Sequence, residues 1–131
     1  GKNRTILPAP IVMDALSKQL ERQQKEQEQA GDMWDNQFNL VFTDEIGKYL
    51  VRRTVVKHFK KIAQRAGISD DARFHDLRHY NASVMISLGI PTMYITRRLG
   101  HSSDDMVKRV YGHLIHDKQE DINRQMTEYF R

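Results

Sequence analysis

Four side chains in one stretch of the chain have the chemistry needed to act together on a phosphodiester: His75, Arg78, His101 and Tyr111. Tyrosine supplies an oxygen nucleophile, which is weak because a free phenol has a pKa of about 10. Neighbouring cationic donors favour the phenolate and stabilise the charge that builds on the phosphoryl oxygens during attack. The product would be a covalent phosphotyrosine, which divides one transfer into two steps. The four residue types therefore predict phosphoryl transfer through a tyrosine.

The spacing of these residues indicates how they are positioned. His75 and Arg78 are three residues apart, so they share one face near the start of a predicted helix. A helix N-terminus has free N–H groups that suit a phosphate, and the planar arginine fork can hold two phosphate oxygens at once. His101 follows Gly100, which is predicted to end a helix and to turn the histidine toward a cleft. Alone, each residue is more often structural; as an ordered set they serve one reaction.

The motifs HDLRH, GIPTMYITRRLGHSS and VYGHL carry a close resemblance to a known family. They resemble the C-terminal catalytic domain of the tyrosine recombinases, the phage integrase family, and are similar to integrases of phages and conjugative transposons. NRTILP resembles a strand of that domain's β-hairpin, and LVFTDEIGKYL resembles the segment before the His-x-x-Arg motif. The resemblance implies a mainly α fold with a small β-hairpin or sheet remnant, of the type found in DNA breaking-rejoining enzymes.

The resemblance also implies an activity and a role for each residue. The protein would be a site-specific recombinase or integrase in which Tyr111 attacks a scissile DNA phosphate and forms a 3′-phosphotyrosyl intermediate. A partner 5′-hydroxyl would resolve that intermediate without metal, ATP or other cofactor. Arg78 would be the second phosphate-gripping arginine, His75 its partner in acid–base chemistry and hydrogen bonding, and His101 a further donor to the phosphate. The implied partners are double-stranded DNA and other protomers in a synaptic complex.

Two catalytic residues of the family lack a match in this sequence. The first arginine lies far upstream in a Gly-Leu-Arg type motif, which is absent here. The lysine of the β-hairpin also has no confident match, since Lys2 lies too close to the predicted strand. We therefore expect residues 1–131 to be the C-terminal portion of a single catalytic domain truncated at its N-terminus. Alone, this portion is expected to be inactive or weakly active.

Composition places the chain among ordinary globular proteins. Its 131 residues suffice for one domain, and 39% of them are hydrophobic. The sequence has no apolar run near the roughly 20 residues of a membrane helix, no signal peptide and no cysteine. These features fit an intracellular protein, and the family resemblance implies a bacterial cytoplasmic protein that associates with the nucleoid when bound to DNA.

The formal charge of +4 favours a polyanionic partner, and the basic residues cluster around the four candidate residues. The predicted DNA contacts are Lys2, Arg52, Arg53, Lys57, Lys60, Arg97 and Arg98.

Hydrophobic periodicity and turn residues predict the order of the elements. A strand remnant over residues 1–8 precedes a helix over 9–29, a linker with short strands over 30–50, and a helical catalytic core over 51–131. Glycines are predicted to end successive helices near residues 66, 88 and 99, and Ser102 or Ser103 is predicted to cap the helix that follows. A short strand is predicted at residues 3–7 from β-branched and apolar residues, and Val41 and Phe42 are predicted to be buried in another. The apolar positions predicted to form the inward faces of the helices are Val55, Phe59, Ile62, Ala63, Ala66, Val84, Ile86, Leu88, Met93, Ile95 and Leu99. A tail helix over 116–131 either contacts another protomer or covers its own core.

Three alternatives remain open at this point. Residues 80–99 fit a helix-turn-helix, in which Arg97 and Arg98 would be DNA contacts of a non-enzymatic module. His75 and His79 have the spacing of a helical metal-ligand pair, although no glutamate of the metalloprotease motif lies between them. Type IB topoisomerases share the tyrosine chemistry. Convergence of Arg78, His101 and the Tyr111 hydroxyl on one cleft would favour the recombinase.

Overall fold

The computed structural model describes residues 3–115 and 118–131, without the side chains of His101 and Ile115. Within these ranges the chain is mainly α, as predicted. The helices are α1 (Pro10–Ala30), α2 (Arg52–Arg65), α3 (Asp76–Ser87), α4 (Thr92–Leu99), α5 (Asp104–Ile115) and α6 (Gln119–Tyr129). No helix of the described ranges combines the length and apolar character needed to cross a membrane.

The described residues divide into two compact units. Arg4 and Ala72–Arg131 belong to the helical unit, and Thr5–Asp71 form the N-terminal unit. The predicted candidate residues for catalysis all fall in the helical unit, whereas α2 and its basic residues fall in the N-terminal unit.

The core of the helical unit lies between α3, α4 and α5. Its buried apolar side chains are Ala82, Met85, Ile86, Ile95, Leu99 and Val107. The predicted inward positions Ile86, Ile95 and Leu99 are confirmed, but the predicted positions Val84, Leu88 and Met93 are exposed. Successive residues of an α-helix are rotated by about 100°, so a small error in the phase of the pattern exchanges a buried position for an exposed neighbour.

The turn from α3 to α4 fixes how these two helices meet. Gly89 has φ +76°, a left-handed conformation that glycine adopts without steric cost. Its N–H donates to the carbonyl of Ile86 at 2.9 Å, and the N–H of Ile90 donates to that of Met85 at 3.1 Å. This is the Schellman arrangement, in which the glycine and the next residue satisfy the last carbonyls of the helix. The predicted glycine stop is thus confirmed.

The strands predicted for the N-terminal unit are not formed. Residues 3–9 pair with no strand in the described part of the chain, where the β pairing is one antiparallel bridge between Thr43 and Tyr49. Val41 and Phe42, predicted as buried, are 53% and 57% exposed. An isolated strand is marginal without partners, and none is supplied here.

Local side-chain hydrogen bonds shape this region instead. The Asp44 carboxylate accepts the N–H groups of Ile46 and Lys48 at 3.0 and 2.9 Å. The Asn36 side chain bonds both the N–H and the carbonyl of Leu40. Such bonds give the backbone an alternative to the hydrogen bonds of paired β-strands, which explains the turns found where strands were expected.

On α2, burial is also lower than the periodicity predicts. Ala63 is buried, whereas Ile62 is 65% exposed and Ala66 is exposed. The helix nevertheless ends before Gly67, at φ +70°, as predicted.

Candidate active site

The start of α3 is held by a carboxylate. Asp76 accepts the backbone N–H of Arg73 at 2.8 Å and its Nη2 at 3.2 Å. The N–H groups of Asp76 and Arg78 donate to the carbonyls of Arg73 and His75 at 2.9 and 3.0 Å. The expectation that this helix end binds phosphate through free N–H groups is therefore wrong, because those donors are already used and a negative charge is already present.

The hydrogen bond from the Arg73 backbone N–H, followed by that from its side chain, lowers the pKa of the Asp76 carboxyl below its ordinary value. Asp76 is thus ionised at neutral pH and holds the segment that carries His75. At this place the Arg78 side chain, rather than the helix end, is the group that offers donors to a phosphate.

Arg78 is bound to the turn between α4 and α5. Its Nε donates to the Ser103 hydroxyl at 2.9 Å, and its Nη2 donates to the same hydroxyl and to the Leu99 carbonyl. Arg78 lies four residues before buried Ala82, so the face of α3 that packs on the core also presents this arginine to the turn. The His-x-x-Arg and Leu-Gly-His motifs are joined by direct hydrogen bonds.

This attachment changes how Arg78 can hold an anion. A guanidinium has five N–H donors, one on Nε and two on each terminal nitrogen. The Nε and Nη2 edge is engaged with the protein, and Nη1 has no hydrogen bond to a described residue. The donors available to a phosphate are therefore the pair on Nη1, not the whole fork that the sequence suggested.

Gly100, between Leu99 and His101, has φ +95° and is buried. Its N–H donates to the Thr96 carbonyl at 2.7 Å and closes α4. The conformation favours glycine, and the predicted helix stop is confirmed. The His101 side chain lies outside the described residues, so its aim toward a cleft stays a prediction.

His75 is exposed and directly precedes α3. Its ring lies 5.5 Å from that of His79, centroid to centroid, at an interplanar angle of 74°. In the part of the chain that the structure describes, no third histidine or carboxylate completes a metal-binding group with them. The two rings form an edge-to-face contact.

Tyr111 lies on α5 with 41% of its surface exposed. It lines a groove with Ile86, Ile90, Leu114 and Ile122. Its hydroxyl has no hydrogen bond to a described residue. The residues that line this groove include neither of the His-x-x-Arg residues. The structure thus joins Arg78 to the Leu-Gly-His turn by hydrogen bonds, and among the described residues no hydrogen bond joins the Tyr111 hydroxyl to Arg78.

The predicted DNA contacts differ in exposure. Arg52, Arg53 and Lys57 are exposed on α2, as are Arg97 and Arg98 in the last turn of α4. None of these five forms an ion pair with a described carboxylate. Lys60 is half-buried and donates to the Asp70 carbonyl, and Lys2 lies outside the described residues. Five cations therefore remain available to an external anion.

Sequence reasoning missed the role of Ser103, which was expected only as a helix cap. Ser103 is 3% exposed, and its hydroxyl oxygen accepts two donors of Arg78. A serine in Leu-Gly-His-Ser-Ser gives no local signal of a partner 25 residues earlier. The Leu99 carbonyl is a backbone group and has no sequence signal at all.

A model of the phage integrase family matches residues 1–118. A protein named tyrosine recombinase XerC-like, from Caldanaerobacter subterraneus subsp. tengcongensis, is 28% identical over 129 residues, which are 97% of this chain and 33% of that protein. An integrase from Saccharopolyspora erythraea is 33% identical over 131 residues, 99% of this chain and 29% of that protein. An integrase from Salmonella phage P22 is 40% identical over 67 residues, 51% of this chain and 17% of that protein. The chain spans a third or less of the length of these relatives.

Proposed function

Because the chain belongs to the phage integrase family, we propose that it is the portion of a site-specific DNA recombinase that carries the strand-transfer tyrosine. The observation that supports this most directly is the attachment of Arg78 to the Leu99 carbonyl and the Ser103 hydroxyl. It fixes one guanidinium at the turn that carries His101 and leaves Nη1 for a phosphate. The similarity to proteins named as a tyrosine recombinase and an integrase favours this enzyme class over a non-enzymatic helix-turn-helix module.

In the proposed first step, Tyr111 gives its phenol proton to a base, the role proposed for His75, and its oxygen attacks the scissile phosphorus of double-stranded DNA. A bond forms between phosphorus and the tyrosine oxygen, and the bond to the 5′-oxygen of the next nucleotide breaks. Arg78, with His75 and His101 as further donors, stabilises the charge on the non-bridging oxygens. The departing 5′-oxygen takes a proton, which in the family comes from a lysine that has no confident match in this sequence.

In the second step, the 5′-hydroxyl of a partner strand attacks the 3′-phosphotyrosyl group and releases Tyr111. The number and type of phosphate ester bonds are unchanged, so the reaction requires no ATP. Guanidinium and imidazole groups supply the charge stabilisation that a metal ion supplies in other phosphoryl transferases. The two steps together exchange DNA strands.

DNA binding in this proposal relies on the exposed basic residues Arg52, Arg53, Lys57, Arg97 and Arg98. Cations without a carboxylate partner neutralise phosphates and release counterions from DNA, which gives affinity without sequence preference. Lys2 and Lys60 complete the proposed contacts. The Lys60 ammonium also donates a hydrogen bond to the backbone carbonyl of Asp70.

We assign α6 to contact with another protomer. It has no buried residue among those described, and Ile122, Met126, Tyr129 and Phe130 are 45–83% exposed. A helix with an uncovered apolar face favours association over cover of its own core. A second copy of the recombinase in a synaptic complex is the proposed partner.

The experiment uses a DNA suicide substrate that traps covalent protein, with the longer recombinase that contains this chain and with the 131 residues alone. Tyr111→Phe is expected to abolish the covalent product of the longer protein, because the nucleophilic oxygen is gone. Tyr94→Phe is the matched control, since Tyr94 is an exposed tyrosine of α4 outside the proposed set. It should leave the product unchanged.

Full covalent product from Tyr111→Phe would contradict the assignment of the nucleophile. The 131 residues alone are expected to form little product, because the family's first arginine and hairpin lysine have no match in them. Robust product from these residues alone would contradict that expectation and leave the nucleophile assignment intact.

A further inference from the structure

Arg4 lies against the Leu-Gly-His turn, although it is near the opposite end of the chain. A Cβ placed on Gly100 would be 3.2 Å from Arg4 Cζ and 3.9 Å from its Nε, and would overlap its Nη1. The guanidinium therefore approaches the Gly100 backbone with its Nη1 end. Gly100 needs to be glycine for two reasons, its φ of +95° and the space that Arg4 occupies.

Arg4 has no partner of opposite charge among the described residues. Three of the other exposed arginines each pair with a carboxylate: Arg22 with Glu26, Arg73 with Asp76 and Arg124 with Asp121. Arg4 is exposed as well, but no described carboxylate forms an ion pair with it. Its position comes from packing on the glycine rather than from a salt bridge, so its charge remains available.

Two guanidinium groups thus contact consecutive residues of one turn. Arg78 donates to the Leu99 carbonyl, and Arg4 lies on Gly100. The acceptors of Arg78 are a carbonyl and a hydroxyl, so neither group is neutralised by a described acid. Two cations placed close together are unfavourable unless an anion lies between or beside them, and arginine pairs are well suited to phosphate oxygens.

We propose that Arg4 is a further DNA-phosphate-binding residue, held by Gly100 beside the phosphate that Arg78 contacts. This inference rests on the proposed function, since it assumes that DNA is the anion. In this arrangement the two arginines contact the turn at Leu99 and Gly100, and the absence of a side chain on Gly100 lets Arg4 reach the turn. A charge on Arg4 then adds to the affinity for DNA irrespective of base sequence.

The test measures binding of a duplex of arbitrary sequence to the 131-residue chain as a function of salt concentration. Each phosphate contact contributes about 0.9 to the slope of log affinity against log salt. Arg4→Gln should lower that slope by about 0.9 and weaken binding roughly tenfold at 0.1 M salt. Arg4→Lys, which keeps the charge, should retain most of the slope. Arg22→Gln, which removes an arginine already paired with Glu26, is the control and should change neither quantity.

Other outcomes separate this inference from the proposed function. If the wild-type chain binds DNA and Arg4→Gln binds with the same slope, the role of Arg4 is refuted and the recombinase proposal stands. If Arg4→Lys lowers the salt slope as much as Arg4→Gln does, and both variants unfold at a lower temperature than wild type, Arg4 only packs on Gly100. The inference is then also refuted. If the wild-type chain shows no salt-dependent binding, the proposal of DNA binding itself fails.

Discussion

The two units of the molecule differ in how they are stabilised. In the helical unit, six buried apolar side chains from α3, α4 and α5 form one core. Among the described residues of the N-terminal unit, one hydrophobic side chain is buried, that of Ala63. The residues proposed for phosphoryl transfer lie on the packed unit, and four of the proposed DNA-backbone contacts, Arg52, Arg53, Lys57 and Lys60, lie on the loosely packed one. Catalytic groups require fixed distances, whereas an exposed cation attracts a phosphate over a range of positions.

The largest expected effect tests this difference in packing. Ile95 is fully buried, whereas Ile62 on α2 is 65% exposed. Ile95→Ala should lower the free energy of unfolding by about 2–5 kcal/mol, because it removes buried methyl groups and leaves a cavity. Ile62→Ala, the same chemical change on the other unit, should change it by less than about 0.5 kcal/mol. Urea titration followed by circular dichroism measures both.

Equal losses from Ile95→Ala and Ile62→Ala would mean that the exposed isoleucine is covered in solution. The contrast between the two units would then be wrong. A small loss at both positions would instead mean that the helical core tolerates a cavity by collapsing around it.

The second prediction concerns the hydroxyl that holds Arg78. Ser103→Ala leaves the part-buried Nε of Arg78 without an acceptor, while Nη2 keeps the Leu99 carbonyl, and the loss costs about 1–3 kcal/mol. Because Arg78 is then misplaced, the rate of covalent product formation in the suicide-substrate assay should fall at least about tenfold. Ser102→Ala changes an exposed neighbour and is the matched control.

Ser103→Thr keeps the hydroxyl and should restore most of the rate lost in Ser103→Ala. A purely structural role for Ser103 would lower stability and leave the rate of the folded protein unchanged, and that result would refute its role in positioning Arg78.

The helices and their ends were readable from the sequence, since apolar spacing and glycine stops are local signals. Gly67, Gly89 and Gly100 lie where the sequence predicts the helix ends, each with positive φ. The strand at residues 3–7 was predicted from β-branched residues, but a strand requires a partner that local composition does not specify.

The contacts of the candidate site were not readable in the same way. The bonds from Arg78 to Leu99 and Ser103, and the contact of Arg4 with Gly100, join residues far apart in sequence. Residue types and motif order predicted which side chains matter. Which edge of a guanidinium remains available depends on tertiary packing, which residue spacing in the sequence does not predict.

The smallest effect on stability is expected for two exposed basic residues of α2, Arg53 and Lys57. Replacing them separates the contribution of charge to DNA binding from the contribution of packing to stability. Arg53 and Lys57 are four residues apart and exposed on the same face. The double variant Arg53→Gln/Lys57→Gln should lower the salt slope of duplex binding by about 1.8, since two phosphate contacts are lost. Its free energy of unfolding should stay within about 0.5 kcal/mol of wild type, because neither side chain has a described ion-pair partner.

The control for this double variant is Lys18→Gln/Lys25→Gln, which removes the same net charge from exposed positions of α1 in the same unit. If both double variants lower the salt slope of duplex binding equally, DNA binding depends only on net charge. The assignment of α2 as a DNA-binding face would then fail. A loss confined to Arg53 and Lys57 would place DNA on α2. Combining this pair with Arg4→Gln should then add the separate losses of slope, because contacts to different phosphates release different counterions.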